Sequence, residues 1–429
     1  MKRRTLLRTA LAPIAGPALL PRRSFAGDAS TAVTVAHSEI WRRFIDKHDI
    51  MLDFTTLDGA VSLPTPEECR LGKPNALGWW SPIENGAMFN GLYMDAMVSR
   101  WRVTKEEAAA AKARRLMSGL LFLNSISDVE GFVGRGVTTD GRSHYPMGSN
   151  DQTFPWYFGL WRYLDSGLAT EEERERIVKR LTITTAAIVK LKWQMPAEAP
   201  FGIRGGFGGY SFESSPRLLF VSKLMHLLTG DASWDKNYRD ALTATGGTEE
   251  KLSRIEWCER GMTFDARNRH SWTAACGVNA LRGLWEMEKD ETLRARYAHG
   301  LQASADVAME SLPLAEEFDN ADTSRFEHDW RVMNAEWRPQ QTEQEAQTLA
   351  EAQLRNFGKI APRRGLETRL VREPTFAAWI VTLAPDKAIL RTRTDAVQRV
   401  IAHYDYAKLI YSQFFPVESA WWRCREAAA

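Results

Sequence analysis

The chain repeats one unit: a nearly charge-free segment with helical periodicity, a short polar turn, then a charge-rich segment with one apolar stripe. The turns fall near residues 103, 168, 230, 289 and 385, a spacing of roughly 60 residues with one wide gap. A fixed period of this kind marks a repeat architecture. The clearest copy is DQTFPWYFGLWRYLD, where Phe154, Tyr157, Phe158, Trp161 and Leu164 fall on one helical face. Gly167-Leu168-Ala169 turns the chain, and Thr170 with Glu173 predicts a capping box for the partner helix. In that partner, Ile177, Leu181, Thr184, Ile188 and Leu191 form the apolar stripe. Thr104 with Glu107 predicts the same start after the first turn, and the wide gap predicts one more, irregular pair around 342–357. Period-two alternation persists nowhere, so the expected fold class is all-α.

Two asymmetries extend this to three dimensions. The helix before each turn is charge-poor, as in PTFAAWIVTLA at 374–384, and the helix after it is charge-rich. A helix apolar all round is buried, whereas an amphipathic one faces water on one side. An inner and an outer ring are therefore expected. The long irregular segments, 51–83, 125–150, 196–214, 258–270 and much of 317–373, each precede an inner helix. That gathers the loops at one end, beside the inner-helix N-termini, which favour anions. The expectation is an (α/α)6 toroid of helical hairpins, a single domain over 27–429. An open solenoid would have short connections on both sides.

Residues 1–26 are expected to be removed. Lys2, Arg3 and Arg4 precede an interrupted apolar stretch too short to span a bilayer, and Ser24-Phe25-Ala26 offers a cleavage site. KRRTLLR matches a twin-arginine export signal, which implies a periplasmic or extracellular protein. The segment holds six cations (Lys2, Arg3, Arg4, Arg8, Arg22, Arg23) and no acid, so the formal +2 of the whole chain becomes −4 without it. A mildly acidic chain with no basic block is a poor nucleic-acid binder, and no membrane association of the mature form is expected. Cys69, Cys258, Cys276 and Cys424 are widely spaced and form no CxxC, so no metal and no cofactor is expected.

The loops that meet at the inner-helix starts supply the candidate site. They carry Trp79, Trp80, Glu84 and Asn85, then Asp128, Glu130, Arg135, His144 and Tyr145, with Asp151 opening the next helix. Arg204, Tyr210 and Glu213 lie in a glycine-rich stretch expected to act as a mobile lid, and His270 and Trp272 open a further inner helix. Arg372 and Glu373 precede the last inner helix, while Glu327, His328, Asp329 and Arg331 lie in the irregular region. Ser149 through Gln152 also reads as a capping box, which would give Asp151 a role at the helix dipole. Acids can do general acid/base work, tryptophans offer flat faces to sugar rings, and arginines can clamp a carboxylate. Asp151, with Asp128 or Glu130, is the expected catalytic set; the others are expected to bind substrate. No GxSxG, HExxH or Ser-His-Asp order stands out.

The run ENGAMFNGLYMDAM, then DVEGFVGRG, then SNDQTFPWYFGLWRYLDSG resembles the bacterial six-hairpin glycosidase superfamily, nearest to unsaturated uronyl hydrolases of glycoside hydrolase families 88 and 105. The resemblance implies an (α/α)6 toroid that removes unsaturated uronic acids from oligosaccharides. It implies a catalytic aspartate at an inner-helix start, which matches Asp151, and a second acid ahead of a Gly-Phe pair. Here Asp128-Val129-Glu130 precede Gly131-Phe132, leaving two choices. The expected function is an exported glycan-degrading hydrolase acting on uronate-containing oligosaccharides, with an acidic oligosaccharide or polysaccharide as partner. The alternatives are a polysaccharide lyase on the same fold, with a His or Tyr base, and a non-catalytic glycan-binding protein.

Overall fold

A computed structural model describes residues 28–247, 251–262 and 271–428, and the described chain is predominantly α-helical. In chain order the first helices are α1 (Ala29–Glu39), α2 (Pro66–Arg70), α3 (Gly86–Thr104), α4 (Glu107–Leu123), α5 (Asn150–Asp165) and α6 (Glu171–Lys190). A two-stranded antiparallel hairpin follows, β1 (Gln194–Pro196) and β2 (Ile203–Gly206). Then come α7 (Ser215–Thr229), α8 (Ala232–Thr243), α9 (Arg254–Arg260), α10 (Ser271–Met287) and α11 (Glu291–Met309). The chain ends with α12 (Glu343–Ile360), α13 (Pro362–Glu367), α14 (Glu373–Leu383), α15 (Lys387–His403) and α16 (Pro416–Ala428). The expected export signal lies outside the described residues.

The five expected turns join α3 to α4, α5 to α6, α7 to α8, α10 to α11 and α14 to α15. The first member of each pair is buried over most of its length: every residue of α14 is buried, as is every residue of α3 from Gly86 to Ser99. The second members are amphipathic, and α6 buries the predicted Ile177, Leu181, Thr184 and Ile188. Its capping box forms as the sequence predicts, with Thr170 accepting from the Glu173 backbone and Glu173 reaching back. The start of α4 differs. Lys105 takes a left-handed conformation that ends α3, Glu106 becomes the N-cap, and Thr104 accepts from the Glu106 N–H instead.

Around 342–357, where an irregular pair is expected, one long helix, α12, is followed directly by the short α13 and not by a charge-rich return helix. α12 packs on α13 and on the 3₁₀ turn Trp330–Glu336, and it joins the loops through small clusters around Trp80, Phe357 and Ala346. The chain ends pack together instead: α16 lies against α3 and α14, and α1 against α15 and α16. Glu418 accepts from the Tyr93 hydroxyl and lies 2.7 Å from His37 Nδ1, tying α16 to α3 and α1. Neither α1 nor α16 stands beside one of the short polar turns, so pair spacing gave no sign of this contact.

Among the buried helices, α3 packs on α5 and α16, α16 on α14, α14 on α10, and α10 on α7; α5 also touches α7 and α10. The α3–α5 approach is close because glycine permits it. A methyl group at Gly91 would run into the Pro155 carbonyl, and one at Gly159 would meet the Gly91 backbone.

The few charges on these apolar helices find one another. Asp95 of α3 has no exposed side chain and accepts from Arg423 of α16 at 2.7 and 2.6 Å and from the Trp379 indole of α14 at 2.9 Å. Arg162 of α5 lies 3.1 Å from both Asp95 and Glu286 of α10. Glu286 also takes Arg282 at 2.6 Å. Burial alone would raise both carboxyls, but the guanidinium charges outweigh it and hold Asp95 below, and Glu286 far below, the usual range. Their folded pKa values are depressed, so the stabilisation is present above the unfolded carboxyl value and is lost as pH falls through the folded values. Asp95→Asn leaves Arg423 buried without its partner and is expected to cost about 3–5 kcal/mol at neutral pH. Urea unfolding from neutral to acid pH checks this: the variant should be weaker at neutrality and less acid-sensitive. An unchanged midpoint would mean the network adds no stability.

Candidate functional site at the helix N-termini

The loops before the buried helices bound a cavity of about 340 Å³, within the range for small-ligand sites. Trp79, Trp80, Glu84, Asn85 and Met88 enter from the start of α3, and Ser149 and Asp151 from the start of α5. Trp272 comes from α10, Thr368 and Arg372 from the approach to α14, and Tyr411 and Gln413 from the approach to α16. Arg135, Arg204, Leu354 and Arg364 complete the wall. The approach to α14 is wound as a π-turn, Thr368–Arg372, a distortion often found at functional sites.

Below the cavity, helix starts are locked to one another. Asn85 donates to Asp53 through its backbone at 2.8 Å and its side-chain amide at 2.7 Å, and Gln152 donates to Asn85 Oδ1 at 3.3 Å. Gln152 also accepts from the Met88 N–H. The expected capping box is therefore half formed: Ser149 receives the Gln152 N–H, but the Gln152 side chain serves α3. Asp53 is fully buried, and desolvation followed by the nearby charge of Glu84 pushes its carboxyl well up. Trp80 is held in a left-handed conformation, φ +72°, by its N–H on Glu84 at 2.8 Å and its indole on the Ala350 carbonyl at 2.9 Å. Trp80 is thus largely core, whereas Trp79 is half-buried at an angle of 67° to it.

Charge distinguishes the cavity. Four guanidinium groups, Arg135, Arg204, Arg364 and Arg372, face two carboxylates, Glu84 and Asp151. Arg135 is largely structural: it donates to the carbonyls of Met147, Glu84 and Gly148 at 3.0, 2.8 and 3.0 Å. Arg204 pairs with Glu343. Arg364 and Arg372 form no ion pair among the described residues; Arg364 lies over Trp80 at 4.4 Å and Arg372 over Trp272 at 4.3 Å. Burial, opposed by Glu373 and assisted by Arg364, brings Arg372 down to about 10, so it remains a cation at neutral pH.

Asp151 is ion-paired at 3.0 Å with Arg217, the third residue of α7, whose side chain is completely buried. Glu213, just before α7, has its carboxyl pushed up by desolvation; Arg217 opposes the shift and Asp151 adds to it. As a residue Glu213 is exposed, so solvent screens this shift.

Several expected site residues lie elsewhere. Asp128 and Glu130 are exposed loop residues outside the cavity lining, so neither is the second acid facing Asp151. His144 faces a different cavity and bonds Glu198. Tyr145 is buried, with its hydroxyl on the Lys73 carbonyl at 2.5 Å, and Tyr210 lies under Arg254 at 3.9 Å. Glu213 is also outside the lining, and His270 lies outside the described residues. The expected lid is pinned: β2 pairs with β1, Phe207 is fully buried, and Arg204 is bridged to α12. Among the candidates in the irregular region, Arg331 bonds Glu68, and Glu327 pairs with Arg325. Arg217, Arg364 and Tyr411 escaped the sequence reading; only Arg217 left a signal, as the lone charge at the head of the apolar run PRLLFV.

No family model, no curated protein and no solved structure matches the chain.

The excess of guanidinium groups predicts selective binding of anionic sugars. Glucuronate should bind in calorimetry where glucose does not, and Arg372→Met should weaken it about tenfold or more. Equal binding of both sugars, or none lost on substitution, would remove the cationic wall from recognition.

Proposed function

We propose that the helix adjacencies close into an (α/α)6 toroid of the six-hairpin glycosidase type, with α16 and α1 as the sixth pair. We further propose that the protein is an exported hydrolase of uronate-containing oligosaccharides. The observation that carries this reading is one cavity holding Arg364 and Arg372, without an ion pair among the described residues, together with Trp79, Trp272 and the Arg217-paired carboxylate of Asp151. Arginines would bind the uronate carboxylate, and indole faces would stack on the sugar ring. Export rests on the twin-arginine pattern at residues 1–26.

In unsaturated-uronyl chemistry a proton adds to C4 of the C4=C5 bond and a water hydroxyl adds to C5. Asp151, paired with Arg217, is suited to accept the water proton. Glu84, the other carboxyl on the wall of this cavity, is the second acid in place of Asp128 or Glu130. A lyase is less well supported, because three of its candidate bases, His144, Tyr145 and Tyr210, lie outside this cavity's lining, and the fourth, His270, lies outside the described residues. Tyr411 does line it, but burial pushes its phenol up, away from use as a base near neutrality.

Ultraviolet absorbance tests this directly. With lyase-digested acidic glycans, absorbance of the unsaturated bond should fall, and Asp151→Asn should slow the fall by about 10²–10⁴-fold. A rise with intact polymer would instead identify a lyase. Binding without any absorbance change in either substrate would identify a non-catalytic glycan-binding protein.

A further inference from the structure

Where α4 meets α1 and α16, an amine, an imidazole and a buried carboxylate stand in line. Lys112 Nζ of α4 bonds to His37 Nε2 of α1, and His37 Nδ1 lies 2.7 Å from Glu418 Oε2 of α16. The other Glu418 oxygen accepts from the Tyr93 hydroxyl, which in turn accepts from the Trp41 indole at 3.1 Å. The Glu418 side chain has no exposed surface, and that of His37 is 12% exposed. Lys112 is half-buried, with its ammonium 5.0 Å from the centre of the Trp41 ring. None of the three lines the cavity at the helix N-termini.

The proton positions follow from the partners. Burial pushes the Tyr93 phenol well up, so it stays neutral and donates to Glu418. His37 Nδ1 is the donor to the second carboxylate oxygen, which leaves Nε2 and Lys112 to share one further proton. In one arrangement the ammonium donates to a neutral imidazole. In the other an imidazolium donates to a neutral amine, and the imidazolium then lies directly against the buried Glu418 carboxylate. The net charge is the same in both, so the exchange needs no new counter-ion. The other charges nearby are largely engaged: Arg100 with Glu106 at 2.7 Å and Arg115 with Asp49 at 2.6 Å. Burial brings the Lys112 ammonium below its usual value; Glu418 and Glu106 oppose this, and Arg100 and Arg115 add to it. A desolvated amine beside a base that can take its proton is a nucleophile.

We propose that Lys112 is a covalent attachment site for small aldehydes, with His37 as its base. His37 takes the ammonium proton, and the Nζ lone pair bonds to the carbonyl carbon once the amine turns outward. One of the two protons left on nitrogen passes to the oxygen, giving a carbinolamine. That hydroxyl leaves with the last nitrogen proton as water, and an imine remains; nothing is oxidised or reduced. An aldehyde needs no leaving group and no activating cofactor for this step, and a half-buried amine admits only a small one. The proposal stands independently of the glycan reading.

The test is brief treatment of the full chain with glyceraldehyde, with cyanoborohydride present to trap the imine as a secondary amine, followed by peptide mass mapping. Lys112 is expected to be labelled about fivefold or more ahead of Lys47 and Lys179, which are exposed and form no ion pair among the described residues. His37→Asn should abolish that lead, because Glu418 without the imidazole favours the ammonium. Circular dichroism establishes that the variant is folded. Labelling of Lys112 no faster than Lys179, or a lead that survives in the folded variant, overturns the proposal. If His37→Asn does not fold, the pH profile of the unaltered chain decides. The half-point of labelling should then fall at lower pH for Lys112 than for Lys179, and equal half-points overturn the proposal.

Discussion

A carboxylate with no exposed surface survives only where cations and donors meet it, because desolvation otherwise drives it to neutrality. Asp95 is met by Arg423, Arg162 and the Trp379 indole, contributed by α16, α5 and α14, and Arg162 carries the pairing on to Glu286 of α10. Five buried helices therefore share one ionic cluster within an otherwise apolar interior. Of these, α3, α5 and α14 arrive with a largely apolar surface that could slide or rotate against its neighbours at modest cost. The charge pairs are directional and permit fewer arrangements. They fix which faces meet, and thereby where the helix N-termini end up.

Those N-termini define the cavity. Asn85 begins α3 while bound to Asp53, Gln152 ties the first turn of α5 to both Asn85 and Met88, and Arg217 ties the first turn of α7 to Asp151. Side chains that another protein could use as simple caps are used here between helices. The result is a pocket whose floor is a buried polar network and whose walls carry cations. A floor held this way changes little when ligand enters, which suits recognition by preplaced groups. Arg364 and Arg372, which form no ion pair among the described residues, stand above it, stacked on Trp80 and Trp272, so aromatic surface and positive charge are presented together.

The pairing of helices was legible in the sequence wherever an apolar run was followed by a polar turn and a capping signal, as at Gly167 to Glu173. Convergence of Trp79, Glu84, Asp151 and Trp272 was legible too, because each stands close to the start of a buried helix. Distance along the loop limited the rest. Asp128 and Glu130 lie some twenty residues ahead of α5, and a loop that long can carry them to the surface, as it does. Glu343 begins a helix outside the repeat, so its bridge to Arg204 had no periodicity to announce it. Tyr145 and His144 look alike as loop polar residues; one is buried on a carbonyl and the other faces a different cavity, a distinction set by packing alone.

The central claim is that the N-terminal cavity holds an acidic sugar with Asp151 beside its reacting carbons. A crystal structure of Asp151→Asn soaked with an unsaturated uronyl disaccharide tests it most directly. The account predicts the uronate carboxylate against Arg364 or Arg372, its ring on Trp79 or Trp272, and residue 151 within hydrogen-bond reach of the water or carbon at the double bond. A disaccharide bound elsewhere, or one whose carboxylate points away from these arginines, would contradict it.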